Sequence, residues 1–400
     1  MSNLNKLIKE LCPNGVEYVN LGEVCTITKG KTPIQKAIPG EYPLVVTTSE
    51  RKSCNTYQFD KSAVCIPLVS SRGHGVASLN HVYFQSGKFA LGNILCAVVP
   101  NDENILSANY LYHYLEYKKD TLLVPLMKGG ANVSLHIDDI QRVKIPLPPV
   151  EIQSKIIEIL DKFVELSEVL SKELTARKKQ YEYYRDLLLN FGVHGVGTSE
   201  CEWRTLGEIC KFYNGDRGKN YPSHSDYREK GIPFINAGDL ETGIVNMQTC
   251  NYISEEKYNS MGGAKLRNGD IIYCLRGSIG KNGVFQGEQG TLASSLVAIR
   301  ANDTVCGRYI YYLLNSSMEL RQRIVKDNGA AQPNLSAQSV KNYLFPIPPI
   351  EEQKRIVSIL DRFDKLCNDI SEGLPAEIEA RRKQYEYYRD KLLSFEEVKM

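Results

Sequence analysis

The sequence predicts an α+β protein with a pseudo-two-fold internal repeat: two mixed α/β globular domains separated by two long helices that pack as an antiparallel coiled coil. Two observations carry this. Residues 147–191 read LPPVEIQSKIIEILDKF…ARKKQYEYYRDLLLNF and residues 347–395 read IPPIEEQKRIVSILDRF…ARRKQYEYYRDKLLSF, a repeat long enough to set the architecture. The segment before each copy also shares a looser frame. Leu21-Gly22-Glu23-Val24-Cys25 matches Leu206-Gly207-Glu208-Ile209-Cys210, Leu95-Cys96-Ala97-Val98 matches Leu296-Val297-Ala298-Ile299, and Tyr110-Leu111-Tyr112 matches Tyr309-Ile310-Tyr311. Ser71-Arg72-Gly73 is aligned with Leu275-Arg276-Gly277, and Gly129-Gly130-Ala131 with Gly329-Ala330-Ala331.

Each long copy opens on a Pro-Pro pair, Pro148-Pro149 or Pro348-Pro349, an extended stop before a helix begins. In the first copy Ile152, Ile156, Ile159, Phe163, Leu166, Leu170, Leu174, Tyr181, Tyr184, Leu188 and Phe191 fall at spacings of three and four, interrupted at Arg177. That is a helix–helix seam with one stutter. The second copy repeats the seam from Ile356 to Ile370, breaks at Gly373-Leu374-Pro375 and resumes from Ile378 to Phe395. Gln153 and Gln353 are 200 apart but Tyr181 and Tyr385 are 204 apart, so about one helical turn is inserted at the break. The tyrosines of both Q-Y-E-Y-Y-R-D endings are read as seam packing, and Arg177, Arg185, Arg381 and Arg389 as flanking charges available for partner docking.

The 400 residues, 42% of them hydrophobic, suffice for two or three cores. The expected boundaries are a first domain 1–146, a first long helix 147–191, a glycine-rich linker 192–202, a second domain 203–346, a second long helix 347–395 and a tail 396–400. An extended linker of this length spans at most roughly 36–40 Å, against about 60 Å for the helix before it. An antiparallel pair therefore needs no long return of the chain, and it relates the domains by an approximate two-fold, an arrangement suited to reading two half-sites on DNA.

No apolar run approaches the length of a membrane span, and the expected location is cytoplasmic, with no membrane partner. Eleven cysteines form no C-x-x-C pair, and Cys65, Cys96 and Cys274 lie in apolar strand-like runs. Net charge is +2. Residues 1–146 carry 15 Lys/Arg against 12 Asp/Glu, and residues 200–346 carry 17 against 15, so any basic surface is local. There is no G-x-x-x-x-G-K-[ST] phosphate loop, no Asn/Asp-Pro-Pro-Tyr/Phe methyltransferase motif and no metal-ligand spacing among the six histidines. Asp239 with Glu255-Glu256-Lys257 is a poor match to a metal-dependent nuclease, because Ser254-Glu255-Glu256-Lys257 reads as a helix N-cap with first-turn acids. No catalytic residue, metal site or cofactor is expected.

The duplicated L/I-P-P-x-E-x-Q…I-L-D-x-F and Q-Y-E-Y-Y-R-D segments, with Gly329-Ala330-Ala331-Gln332-Pro333-Asn334-Leu335-Ser336, resemble the specificity subunits of type I restriction-modification systems over nearly the whole chain. The last segment is similar to the family's G-x-A-Q-P-N-[LI]-S signature. The first domain departs from it with Gly130-Ala131-Asn132-Val133-Ser134-Leu135. The resemblance implies a non-catalytic subunit that binds double-stranded DNA. Each globular domain, a target recognition domain, then reads one half of a bipartite asymmetric site, and the helices fix the spacer and dock two methyltransferase subunits. Restriction/translocase subunits join in the full complex, and adenine methylation belongs to the partners.

Phosphate contact requires exposed Lys or Arg, and base reading requires Arg, Lys, Asn or Gln at the groove edges. The loops that meet both needs offer Lys31, Arg51, Lys52, Arg72, His74 and Lys128 in the first domain. In the second they offer Arg217, Lys219, Asn220, Arg276, Ser278, Lys281, Asn282, Gln332 and Asn334. The competing readings are a coiled-coil adaptor whose two domains bind proteins, and a self-sufficient nuclease or methyltransferase, which the missing motifs oppose.

Overall fold

The computed structural model describes residues 2–48, 50–71, 79–129, 132–191, 201–241, 243–326, 334–369 and 372–398. The chain divides into two compact units: residues 1–169 with 379–400, and residues 170–378. Each unit thus takes one globular region, half of the first long helix and part of the second helical copy.

In unit 1 the central antiparallel sheet runs Cys25–Lys29, Leu95–Pro100, Ala63–Pro67, Tyr83–Gln85. Leu95–Pro100 is buried at every position, as expected for a strand covered on both faces. A second sheet, Lys52–Cys54, Tyr42–Val45, Lys88–Leu91 and Phe59–Asp60, packs beside it, and Lys128–Gly129, Asn132–Ser134 and Val69–Ser71 form a third. Helix Ala108–Leu122 turns Tyr110, Leu111, Tyr114 and Leu115 into the core.

Unit 2 repeats the plan. Its sheet runs Cys210–Asn214, Leu296–Ala301, Ile271–Cys274, Asn282–Val284, Gly243–Ile244. Where unit 1 has one helix, unit 2 has two, Gly307–Leu314 and Ser317–Lys326. Short helices Leu21–Val24 and Leu206–Ile209 occupy matching places, each opened by a capping box, Asn20 with Glu23 and Thr205 with Glu208. Gly30 and Gly215 also match. A Cβ on Gly30 would lie 2.1 Å from the Gly92 carbonyl oxygen, and one on Gly215 would lie 1.9 Å from that of Ala293.

The long helices take shape as the Pro-Pro stop and the seam predict: Val150–Leu189 is continuous, and the second copy breaks into Ile350–Asn368 and Leu374–Leu392 around Gly373. In unit 2 the contact order is antiparallel. Lys178 and Arg177 lie near Cys367, Tyr181 near Asp364, and the Tyr184 ring stacks 5.9 Å from that of Phe363. In unit 1 the Phe163 ring lies 5.4 Å from Tyr388 and 6.4 Å from Tyr385, so those tyrosines are packing residues. The Arg389 guanidinium stacks 4.7 Å from the Tyr117 ring, a use of this seam-flanking charge inside its own unit.

The repeated glutamine and aspartate dock each helix on its globular region. Gln153 is fully buried; its Oε1 accepts the Ser107 N–H at 2.9 Å and its Nε2 donates to the Pro148 and Ile105 carbonyls at 2.8 Å. Gln353 does the same with the Cys306 N–H at 2.9 Å and the Pro148 counterpart, Pro348, at 2.8 Å. Asp161 takes His113 Nε2 at 2.9 Å and Asn109 Nδ2 at 3.2 Å, whereas Asp361 takes Arg308 Nε at 2.8 Å and the Tyr312 hydroxyl. Burial lowers the His113 pKa against the opposing pull of Asp161.

Cys65, Cys96 and Cys274 are buried free thiols, and burial pushes Cys25, Cys96 and Cys210 up to about 12. No helix among the described residues is long and apolar enough to cross a membrane.

Candidate nucleic-acid interface

In unit 2, strand Ile271–Cys274 leaves the sheet at Leu275, whose N–H donates to the Ser295 carbonyl at 2.8 Å and whose carbonyl accepts the Leu335 N–H at 3.0 Å. The next residue, Arg276, forms an isolated antiparallel bridge with Asn334, and its Nε donates to Asn334 Oδ1 at 3.1 Å. Both side chains are exposed. A tight hairpin follows, with Gly277 and Gly280 at φ +80° and +85°, the left-handed region that a side chain disfavours. Gly280 also lies against Arg323, where an added Cβ would sit 2.7 Å from Nε. Arg323 is held from below by buried Glu319, 3.0 Å away, which also accepts from the Tyr273 hydroxyl.

The Asp216–Tyr221 loop reaches the same edge. Buried Asp216 accepts the Gly218 and Gly262 N–H groups, and Arg217 donates to the Ser294 carbonyl at 3.3 Å, one residue from the partner of Leu275. Lys219 is exposed beside it. The structure therefore gathers Arg217, Lys219, Arg276, Ser278 and Asn334 around the end of one sheet. Asn220 is engaged locally through a 2.7 Å bond to the Ser260 carbonyl, and Lys281 lines a cleft of about 1000 Å³ together with Arg308, Asp361 and Lys365.

Asn282 corrects the sequence reading. It is 5% exposed and exchanges hydrogen bonds with Asn315, 2.9 and 3.3 Å, because it is the first residue of a strand whose pleat turns it inward. It is a core polar pair and cannot reach a base.

In unit 1 the same hydrogen bonds recur three residues before the expected alignment, at Leu68 instead of Ser71. The Leu68 N–H donates to the Ile94 carbonyl at 2.8 Å and the Leu68 carbonyl accepts the Leu135 N–H at 2.8 Å, so Leu68 and not Ser71 is the counterpart of Leu275. Val69 opposite Ser134 is then the counterpart of Arg276 opposite Asn334. The expected pairing of Arg72 with Arg276 is overturned. Val69 is 45% exposed. Glu116 of unit 1 makes a different set of bonds from Glu319: Oε2 accepts the Val82 N–H at 2.8 Å, and Oε1 meets His81 and Lys119.

Arg72, His74 and Gln332 lie outside the described residues. Lys31 and Lys52 are exposed, the first with its N–H held by Gln58 Oε1 at 2.9 Å. Lys128 pairs with Asp139 at 2.9 Å while staying 67% exposed, and it holds the Asp139 carboxyl below its ordinary range. Arg51 is tied down more firmly. It donates to Gln85 Oε1 at 3.1 Å and the Phe84 carbonyl at 3.2 Å and lies over the Tyr83 ring.

Sequence reasoning missed Val69, Ser134, Glu319 and Arg323, for which no local signal exists. It also missed the docking role of Gln153, Gln353, Asp161 and Asp361, whose recurrence in both copies was a usable one. The nuclease-like triplet is structural: Ser254 Oγ accepts the Lys257 N–H at 3.2 Å, and Asp239 is buried, accepting from Asn236 and Thr249. Among the described residues no cluster of His, Cys, Asp and Glu is placed to hold a metal ion.

Comparison with known proteins agrees with this architecture. The family model described as type I restriction modification DNA specificity domain matches residues 13–176 and 198–380. The Escherichia coli type I restriction enzyme EcoR124I/EcoR124II specificity subunit is 36% identical over 305 residues, 74% of this chain and 72% of that protein. A Haemophilus influenzae protein with the provisional name of type I restriction enzyme specificity subunit is 30% identical over 98% of this chain and 99% of its own. In fold, the crystal structure of the type I restriction-modification S subunit from M. genitalium superposes with a TM-score of 0.61 over 95% of this chain and 96% of that one, at 17% identity. With two family-model matches that follow the internal duplication, the chain belongs to the type I restriction-modification specificity-subunit family.

Proposed function

We propose that this chain is the sequence-reading, non-catalytic subunit of a type I restriction-modification complex. Residues 1–146 and 203–346 each read one half of a bipartite, asymmetric site on double-stranded DNA. The helical segments 147–191 and 347–395 set the unread spacer and dock two methyltransferase subunits, which supply the methyl-transfer chemistry; restriction/translocase subunits complete the nuclease. The complex works in the cytoplasm.

The observation that carries this reading is one hydrogen-bonded frame built twice with different side chains at its exposed end, Arg276 with Asn334 in one copy and Val69 with Ser134 in the other. A frame of fixed geometry with variable edges suits recognition of two unlike half-sites. For docking, Tyr183 and Tyr387 stand at matching places in the two Q-Y-E-Y-Y-R-D segments, 64% and 61% exposed, while Tyr181 is buried and Tyr385 and Tyr388 are part-buried.

The test is methylation mapping by single-molecule sequencing in cells that carry the cognate methyltransferase subunit, with and without this chain. Methylated adenines in a split motif, present only with the chain, are expected. Unchanged methylation would sink the reading and return the adaptor alternative.

A further inference from the structure

Resting on the DNA-reading function above, we propose that Arg276 recognises a guanine in the half-site read by unit 2 and that Asn334 is its positioning residue. The corresponding place in unit 1, Val69 with Ser134, sets no guanine requirement.

An arginine reads guanine by presenting two parallel N–H groups to O6 and N7, which demands a fixed guanidinium plane. Here the plane is fixed from behind. Asn334 Oδ1 takes the Nε proton at 3.1 Å, and the backbone bridge between the two residues sets where that acceptor stands. The bond uses the inner edge of the guanidinium, and no other side-chain partner of Arg276 occurs among the described residues, so the outer edge, Nη1 and Nη2, is left for a ligand. Below, Gly277 and Gly280 keep the hairpin tight, and Glu319 holds Arg323 against it.

The comparison between copies separates base reading from phosphate binding. A phosphate contact is independent of sequence and would be useful at the same place in both domains. Unit 1 preserves the backbone bonds there, Leu68 to Ile94 and Leu135 to Leu68, yet carries an exposed valine and a serine. A frame retained while its cation and the cation's buttress are both replaced is the pattern of a residue chosen for one base. Val69 offers methyl groups instead, suited to apolar contact with a thymine methyl.

The experiment uses the full chain assembled with its methyltransferase subunits, and methylation is mapped on a library of split sites. In the unsubstituted complex one half-site should hold an invariant guanine. Arg276→Ala and Arg276→Lys, the second retaining charge but not the fork, should each relax that position about 5- to 150-fold against the other bases. Asn334→Ala should relax the same position by less. The double exchange Val69→Arg with Ser134→Asn should create a new guanine requirement in the other half-site, and this gain decides the matter where Arg276→Ala abolishes methylation. A uniform fall in methylation with the motif unchanged would make Arg276 a phosphate contact and overturn the proposal while leaving the DNA-reading function standing. Absence of any split motif with the unsubstituted chain would overturn that function itself.

Discussion

Unit 1 and unit 2 share one hydrogen-bonded core frame and dress it with different side chains, and two places where those side chains diverge are instructive. At the end of the sheet exposed Val69 and part-exposed Ser134 stand where unit 2 has exposed Arg276 and Asn334. At the helix dock, His113 and Asn109 stand where unit 2 has Tyr312 and Arg308, and both sets converge on the aspartate of the same repeated motif. Exposed divergence changes what can be bound. Divergence at the dock keeps the geometry but changes its electrostatics, because histidine titrates near neutral pH and arginine does not.

The strongest way to break the equivalence is through the paired glycines. Gly30→Val and Gly215→Val should each destabilise the chain by roughly 3 kcal/mol or more, since a Cβ would penetrate a fixed carbonyl oxygen in either unit. Denaturant unfolding that finds one variant benign would show that the two frames are not alike at this strand end.

The buried glutamines come next. Gln153→Ala strips the Ser107 N–H and the Pro148 and Ile105 carbonyls of their partner, and Gln353→Ala the Cys306 N–H and the Pro348 carbonyl, at a cost of about 1–3 kcal/mol for each group left unsatisfied. Hydrogen exchange should register the loss at Ser107 in the first variant and at Cys306 in the second. Equal protection in variant and unsubstituted protein would mean that the repeated glutamine docks nothing.

The smallest effect sharpens the electrostatic difference. Burial lowers the His113 pKa below its ordinary 6.5, although Asp161 opposes the shift. The unfolded chain then binds the proton more readily than the folded one, so the contribution of His113 is present above pH 6.5 and is lost as pH falls through the lowered folded value. Unit 1 should weaken on mild acidification while the Arg308–Asp361 dock of unit 2 holds. In His113→Tyr, which copies unit 2, that difference should shrink. Thermal unfolding followed from pH 7.5 to 5 tests this, and an unchanged slope in the variant would remove His113 as its source.

Much of the fold was legible because it is encoded locally. The Pro-Pro stops, the three-four spacing from Ile152 to Phe191, the break at Gly373-Leu374-Pro375 and the continuous apolar run of Leu95–Pro100 are all short-range signals that a single segment must satisfy by itself. Duplication added a second reading of each. The candidate interface was legible only in part. Exposed Arg217, Lys219 and Arg276 follow from loop chemistry, but Asn282 sits in equally polar sequence and points inward, because strand parity rather than residue type decides its face.

The sequence by itself determined that there are two copies of one domain and one helix, where each helix starts and stops, and which family the chain resembles. Tertiary structure alone decided that Arg276 meets Asn334, 58 residues away, and that Val69 rather than Arg72 is its counterpart. Strand register sets both pairings, and register is the sum of hydrogen bonds and packing across segments that no local window contains.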